Sequence, residues 1–347
     1  MKTNSLLNQP GVRMRRGFTM IELLVVIVVI GILAAILLPA LLGTTISARN
    51  SVIVMEMNQL DSAVASYSSV NAGEYPPDFS STVSGTLSTV DYSYVENHLK
   101  RAYPRKRFTV SNTTFTTSGT FSPGSPPSTP PSSFQRVSPY LGPGAFAYFG
   151  NLDPAEALVF WLAGLYNNPN DPLMNSATAA PTAVPDVDKL KSFYQFEQGR
   201  LKDLNGDGWP EYYPKNIEKA PYVYFHSATY AMKGARYPVS GTSGYGIARP
   251  YLQNPNLATN PVSSSNAPKP ENFWNPTKFQ IICSGLDGNF GGDTDASGNN
   301  LNPWVPNIAF KVFPSAAAGI QKQNCSMEDR DNLTNFGDGR TLENNRP

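Results

Sequence analysis

An apolar run over residues 23–42 dominates the pattern of hydrophobic and polar positions in this chain. At about 1.5 Å per residue, a helix of that length crosses roughly 30 Å of hydrocarbon, the thickness of a bilayer core. A basic leader precedes the run, and Glu22 lies at its start. A carboxylate that enters lipid unpaired costs about 2.5 kcal/mol or more. A helix that serves only as a membrane anchor gains nothing from a carboxylate at this position, so the pattern predicts a partner for Glu22.

The same helix is predicted to continue beyond the apolar run, because one apolar stripe recurs at steps of three, four and seven residues. Proline removes a helix hydrogen bond, so Pro39 is expected to kink or locally melt the helix. The predicted end lies at residues 71–73, since the two prolines after Tyr75 cannot continue a helix. The stripe consists of Ile46, Ile53, Met57, Leu60, Val64 and Tyr67.

The remainder of the chain indicates a loop-rich body with a few regular elements. Residues 153–156, Asp-Pro-Ala-Glu, predict the capped start of a buried helix, because Asp can cap, Pro suits the first turn and Glu completes a capping box. Residues 78–137 and 234–275 are expected to be mostly irregular, since they are rich in turn-forming and small polar residues. Residues 222–225 and 228–232 are strand candidates that form either one strand pair or one long strand. Residues 279–283 are a further strand candidate. Residues 309–313 form either a strand or a helix.

Charge and composition narrow the function classes. The formal net charge is +1, and the first 17 residues hold four basic and no acidic side chains, so the charge without them is −3. A faintly acidic body argues against nucleic acid as a partner. Basic residues stay on the cytoplasmic side of a membrane, which places the body outside the cytoplasm. With only His98 and His226, and no metalloprotease, phosphate-binding or nucleophile-elbow motif, the sequence does not indicate an enzyme.

Residues 17–26, Gly-Phe-Thr-Met-Ile-Glu-Leu-Leu-Val-Val, resemble the class III signal of type IV pilins and type II secretion pseudopilins. That family pattern has Gly before a cut, an aromatic first mature residue and Glu at the fifth mature position, which Gly17, Phe18 and Glu22 provide. The resemblance implies that prepilin peptidase cuts between Gly17 and Phe18 and methylates the Phe18 amine. That amine is positive at neutral pH, so in a stack of helices it can pair with Glu22 of a neighbouring subunit. The alternative is a Glu22 side chain that reaches the lipid headgroups.

The first of two acidic, glycine-rich loops is a candidate calcium site. It places Asp203, Asn205 and Asp207 at alternate positions, like the start of an EF-hand loop. Pro214 occupies the position of the usual bidentate glutamate, so Glu211 is the candidate substitute. The alternative is an Asx-rich turn that its own backbone satisfies.

The second acidic loop follows the predicted strand 279–283 and is similar to the calcium loop of major type II pseudopilins. That resemblance implies Asp287 and one of Asp293 or Asp295 as side-chain ligands, with the carbonyl oxygen of Ser284 as a backbone ligand. Hard oxygen ligands on a flexible loop suit calcium better than a transition metal. The alternative is a plain glycine-rich turn.

These features predict an α+β, pilin-like fold. It has a leader at residues 1–17, a membrane-spanning and assembly helix at 18–73, and an extracytoplasmic body at 74–347, in which the helix packs on a small antiparallel sheet with long loop insertions. An extracytoplasmic body also permits a disulfide between Cys283 and Cys325, against the alternative of two separate thiols.

The predicted function is that of a structural subunit anchored in a bacterial inner membrane. It would polymerise through its helix in a type II secretion or type IV pilus-like filament. Its expected partners are copies of itself, other pilin-like subunits, prepilin peptidase and the secretion or pilus machinery, with calcium as a candidate cofactor. The rival hypotheses are a membrane-tethered, calcium-dependent binding module and a tethered enzyme.

Overall fold

Helix α1 (Met20–Val70) comprises 51 consecutive residues of the computed structural model. It is unbroken at Pro39, so the local melting expected there does not occur. The chain divides into two compact units, Met1–Arg49 and Asn50–Pro347, and α1 contributes to both. The structure describes residues 18–80, 83–84, 87–91, 93–104, 114–116, 135–137, 146–148, 152–164, 191–204, 209–230, 235–238, 245–253, 269–292, 311–312, 331–337, 339 and 341.

In the first unit, α1 exposes an apolar surface. The stretch Met20–Leu37 is long and apolar enough to cross a membrane by length and composition, and all of it is exposed. Ile46, the first residue of the predicted apolar stripe, is 53% exposed and belongs to this unit. The apolar stripe is therefore not buried at Ile46.

In the second unit, α1 buries the rest of that stripe in the main hydrophobic core. Ile53, Leu60 and Val64 are fully buried, and Met57 and Tyr67 are each 2% exposed. Burial of one large apolar side chain contributes about 1.5–3 kcal/mol, so the stripe is a principal attachment between helix and body. The same core includes Leu158, Trp161, Tyr222, Ile281 and Leu333.

The end of α1 follows from its last turn. The helix ends at Val70, and the amide of Gly73 donates to the Ser68 carbonyl oxygen at 2.9 Å. Gly73 has φ +81°, a left-handed conformation that glycine adopts without steric cost. The chain then leaves through Pro76 and Pro77, whose carbonyl oxygens accept hydrogen bonds from buried side chains of the body.

The described residues of the body include two further α-helices, α2 (Ser93–Ala102) and α3 (Pro154–Leu162). In α3, Asp153 Oδ1 accepts hydrogen bonds from the amides of Ala155 and Glu156, while Glu156 Oε2 accepts from the Asp153 amide at 2.9 Å. This is the predicted capping box, and all nine residues of the helix are buried as expected. The strands are β1 (Val83–Ser84), β2 (Leu87–Asp91), β3 (Thr114–Thr116), β4 (Gln135–Val137), β5 (Phe146–Tyr148), β6 (Leu201–Lys202), β7 (Glu211–Tyr212), β8 (Val223–His226), β9 (Tyr251–Leu252), β10 (Phe279–Cys283), β11 (Lys311–Val312) and β12 (Leu333–Thr334).

The central sheet is antiparallel, with strand order β12-β10-β8. β10 has the predicted bounds and is buried along its whole length. β8 ends at His226, so the described residues 228–230 form a turn rather than the predicted strand. The buried Asp78 carboxylate explains why β8 ends there. It accepts hydrogen bonds from the His226 amide and the Thr229 hydroxyl, and these bonds stabilise the turn in place of further strand pairing.

The remaining strands form small sheets: β1-β2-β3, β4-β5, β6-β7 and the parallel pair β9 and β11. Residues 78–137 were expected to be mostly irregular, and their described parts contain α2 and four short strands. Residues 309–313, left open by the sequence, include strand β11. One long helix, packed on a small antiparallel sheet, confirms the α+β pilin-like fold class.

A buried carboxylate also joins α1 to the body. Glu56 accepts hydrogen bonds from the hydroxyls of Tyr212 at 2.8 Å and Tyr222 at 2.7 Å, and it pairs with Arg200 Nη2 at 2.6 Å. Arg200 lies over the Tyr212 ring, with its guanidinium carbon 4.4 Å from the ring centroid. Since a buried charge is stable only when it is paired and hydrogen-bonded, these contacts act as one unit.

His98 of α2 lies against α1 as a buried, neutral side chain. Its Nε2 is 2.7 Å from the Tyr67 hydroxyl, and its Nδ1 is 3.4 Å from Glu74 Oε2. Burial of the ring, reinforced by the charges of His226 and Arg101, lowers the pKa of His98 to about 3.

Acidification is expected to destabilise the body through His98. The unfolded side chain takes up a proton as the pH falls through about 6.5, whereas the folded one stays neutral until about pH 3. Above pH 6.5 the neutral His98 causes no loss of stability, whereas by pH 4.5 it has lowered the free energy of unfolding by about 2–3 kcal/mol. Unfolding of the wild-type chain and of His98→Gln at pH 7.5 and 4.5 measures this change in the free energy of unfolding. A pH dependence that is the same in both proteins contradicts the assignment.

Candidate functional site

The N-terminal segment presents the motif residues at the exposed start of α1. Phe18 is 78% exposed, and Glu22 is also exposed in the first turn. Thr19 Oγ1 and the Thr19 amide each donate to Glu22 Oε2 at 2.8 Å, and the Glu22 amide donates back to Thr19 Oγ1. Gly17 lies outside the described residues.

These bonds form a capping box, a role for Glu22 that the sequence reasoning missed although Thr19-Met20-Ile21-Glu22 has its Ser/Thr-x-x-Glu spacing. Both hydrogen bonds to the carboxylate use Oε2, and within the described residues Oε1 accepts none. A capped Glu22 therefore retains an oxygen and its negative charge for a cation brought by another molecule.

The second acidic loop makes a tight turn at the end of β10. Gly285 and Gly288 have φ near +70°, and Asp287 Oδ1 accepts from the Asn289 amide at 2.7 Å. Ser284 is fully buried, and its Oγ has no hydrogen-bond partner in the described part of the chain. Asp287 is exposed at the surface of the turn. Two further predicted ligands, Asp293 and Asp295, lie outside the described residues.

Asp331 completes this loop, and sequence reasoning missed it. Its carboxyl group lies against Gly285, where a Cβ would overlap it, and its Oδ2 accepts from the Asp287 amide at 3.2 Å. Its Oδ1 is buried and has no hydrogen-bond partner among the described residues. Burial, and then the Asp287 charge, raise the pKa of Asp331 to about 6. Two carboxylates and orphaned buried oxygens fit a calcium ion, which takes six to eight oxygen ligands.

In the first acidic loop, Glu211 faces the interior of the body. It is 5% exposed in β7 and accepts hydrogen bonds from the hydroxyls of Tyr213 and Tyr237, each at 2.5 Å. Burial raises its pKa, and the Asp203 charge adds to the increase. Asn205 and Asp207 lie outside the described residues, so their role as calcium ligands stays a prediction.

Glu211 forms a cluster of three buried carboxylates with Asp153 and Glu156. Asp153, Glu156 and Glu211 can each bring one oxygen within 4.8 Å of the others. The sequence pattern identified Asp153 and Glu156 as helix caps, which they are, but it could not place them beside Glu211 because the contact spans more than fifty residues.

Cys283 is buried at the end of β10 as a free thiol, and burial raises its pKa. Cys325 lies outside the described residues. Core side chains enclose Cys283, and the disulfide between Cys283 and Cys325 stays a prediction.

The comparison with known proteins bears on the N-terminal segment. Residues 12–38 match the family described as the prokaryotic N-terminal methylation motif. A fimbrial protein of Neisseria meningitidis serogroup B is 38% identical over 84 residues, which cover 24% of this chain and 49% of that protein. The N-terminal segment of this chain is thus similar to those of type IV pilins and type II secretion pseudopilins.

Two further relatives represent both branches of that family. Type IV major pilin protein PilE of Neisseria gonorrhoeae is 37% identical over 83 residues, 24% of this chain and 49% of its own length. Type II secretion system core protein G of Klebsiella pneumoniae is 34% identical over 90 residues, 26% of this chain and 60% of its own length. No solved structure matches this pilin-like chain.

These matches confirm the resemblance found in residues 17–26. The pilin-like chain spans about half the length of the first relatives it matches, and those relatives align with about a quarter of it. The motif and the exposed apolar helix together indicate a membrane-anchored protein. The relatives are named as pilins, fimbrial proteins or secretion-system proteins rather than as enzymes.

Proposed function

We propose that this chain is a structural subunit that polymerises through α1 in a type IV pilus-like or type II secretion filament. The observation that carries the proposal is the methylation motif at residues 12–38, which includes the apolar and entirely exposed Met20–Leu37 stretch of α1. So large an apolar surface is stable only in lipid or against similar helices. A filament supplies such helices after the subunit leaves the membrane.

In this proposal, prepilin peptidase cuts between Gly17 and Phe18 and methylates the Phe18 amine. The basic leader keeps the N-terminus cytoplasmic, so the body lies outside the cytoplasm of a bacterium and α1 spans the inner membrane. Within a filament, Glu22 of one copy pairs with the Phe18 amine of the next. The partners are copies of this chain, other pilin-like subunits and the assembly machinery. The work done is assembly, not catalysis.

N-terminal processing tests the proposal. The purified chain is expected to begin at Phe18 with a methylated amine, as measured by N-terminal sequencing and mass spectrometry. Gly17→Val should leave the leader attached, because the bulkier side chain lies next to the bond that is cut, whereas Gly11→Val in the same leader should not prevent cleavage. A native chain that still begins at Met1 overturns the proposal.

We also propose that the second acidic loop binds calcium. Support comes from the two acidic residues Asp287 and Asp331, since the Asp287 amide donates a hydrogen bond to the Asp331 carboxylate. Further support comes from Asp331 Oδ1 and Ser284 Oγ, two buried oxygens without hydrogen-bond partners among the described residues. Asp331 is the new member of the predicted ligand set. The Ser284 carbonyl and Asp293 or Asp295 keep their predicted roles. A bound calcium ion would neutralise the acidic loop and stabilise the folded body by mass action.

A further inference from the structure

The C-terminal segment of residues 331–337, here called the strap, connects the second acidic loop to α1. At its start, Asp331 lies against Gly285 and accepts a hydrogen bond from the Asp287 amide. The next residues form β12, which pairs with Ile282 and Cys283 of β10. The strap is therefore held to the loop by one carboxylate and to the sheet by a two-residue strand.

A single side chain of the strap bonds both the sheet and the helix. Asn335 Oδ1 accepts from the Ile281 amide at 3.0 Å, and Asn335 Nδ2 donates to Asp61 Oδ1 of α1 at 2.8 Å. Just after the strap, a Cβ at Gly339 would lie 3.1 Å from a methyl carbon of Val54 of α1. The chain thus passes from the acidic loop to the helix within a few residues.

The strap also contacts the rest of the body, because Asn332 donates hydrogen bonds to the Tyr251 hydroxyl and the Phe290 carbonyl oxygen, and the Phe336 ring stacks on Trp274. Two residues of strand pairing are marginal by themselves. Within the described residues, Asp331 Oδ1, Ser284 Oγ and Thr334 Oγ1 are buried without hydrogen-bond partners, and an orphaned buried oxygen destabilises the segment that carries it. A cation at Asp331 would remove part of that destabilisation.

We propose that the strap couples cation binding in the acidic loop to the attachment of α1 to the body. The proposal rests on the calcium site and on the assembly helix of the proposed function. Calcium fixes Asp331, Asp331 positions β12, and Asn335 then carries the effect to Asp61. A subunit would hold its assembly helix most firmly only when it has reached a calcium-containing compartment.

Amide hydrogen exchange of the full-length chain in detergent micelles tests this coupling. At calcium concentrations about 100 times Kd, exchange should slow by up to about 100-fold in the loop, in the strap and in residues 54–61 of α1. Asp61→Ala removes the helix partner of Asn335 and should abolish the response of residues 54–61 while the loop still responds. Asp61→Asn is the matched control, because its amide oxygen can still accept from Asn335. Asn335→Asp should act like Asp61→Ala, since it keeps the bond to the Ile281 amide and sets a carboxylate against Asp61.

The outcomes separate the proposals. A loop that responds to calcium while residues 54–61 of the wild-type chain do not overturns the strap proposal and leaves the calcium site standing. An Asp61→Ala helix that responds like the wild type also overturns the strap proposal. A chain in which neither loop nor helix responds overturns both. None of these results bears on cleavage at Gly17, so the filament proposal is tested independently.

Discussion

Glu22→Gln is expected to abolish filament assembly while the body stays folded. Glutamine can replace glutamate in a capping box, so the hydrogen bonds with Thr19 are preserved and only the charge is lost. The Phe18 amine of the neighbouring copy then has no counter-ion in an apolar surrounding. At about 2.5 kcal/mol for each uncompensated charge, every contact between subunits weakens roughly 70-fold. Because the loss recurs at each addition, filaments should fall below detection by electron microscopy.

Thr19→Val is the matched control for this experiment. It removes the hydroxyl of the capping box but keeps the Glu22 charge, and loss of a helix cap costs only about 1 kcal/mol. Thr19→Val should therefore assemble, with filaments that are at most less abundant, and both variants should have the same unfolding midpoint of the body. If Glu22→Gln forms filaments as well as the wild type, the carboxylate acts only as a helix cap and charge pairing is excluded.

Local patterns predicted the parts of this molecule that depend on neighbouring residues. The α3 capping box uses residues within four positions of one another, and β10 is a short run of apolar and β-branched residues, so both were found with nearly the observed bounds. The end of α1 was found for the same reason, since Gly73 and the following prolines leave few conformations. The N-terminal motif is likewise contiguous, and the comparisons confirm it.

Contacts between distant residues were not predictable in this way. Asp331 joins Asp287 across 44 positions of chain, and nothing in the residues around it indicates that contact. Glu56 was missed for a related reason, because one carboxylate beside an apolar stripe ordinarily faces solvent. The cluster of Asp153, Glu156 and Glu211 depends on α3 packing against β7. In each case the tertiary fold, rather than a local pattern, creates the site.

The second large effect is expected for Glu56→Ala, which should destabilise the body by about 3–5 kcal/mol. The substitution leaves the Arg200 guanidinium, whose side chain is 16% exposed, without its buried partner. It also removes the acceptor for the hydroxyls of Tyr212 and Tyr222. Burial raises the pKa of both tyrosines, so they stay neutral and cannot replace the lost negative charge. Urea unfolding of the full-length chain, followed by the fluorescence of its buried tryptophans, measures the change.

Two further variants show whether the burial of Glu56 is the cause of the expected loss of stability. Glu56→Gln keeps an oxygen for the tyrosines but no charge for Arg200, so its loss of stability should lie between those of the wild type and Glu56→Ala. Glu197→Ala removes the other carboxylate near Arg200, which is 67% exposed and 3.4 Å from Nη1. An exposed ion pair contributes about 0–1 kcal/mol, so this variant should unfold almost like the wild type. Equal effects of Glu56→Ala and Glu197→Ala would contradict the view that Glu56 fastens α1 to the body, because burial is what distinguishes the two carboxylates.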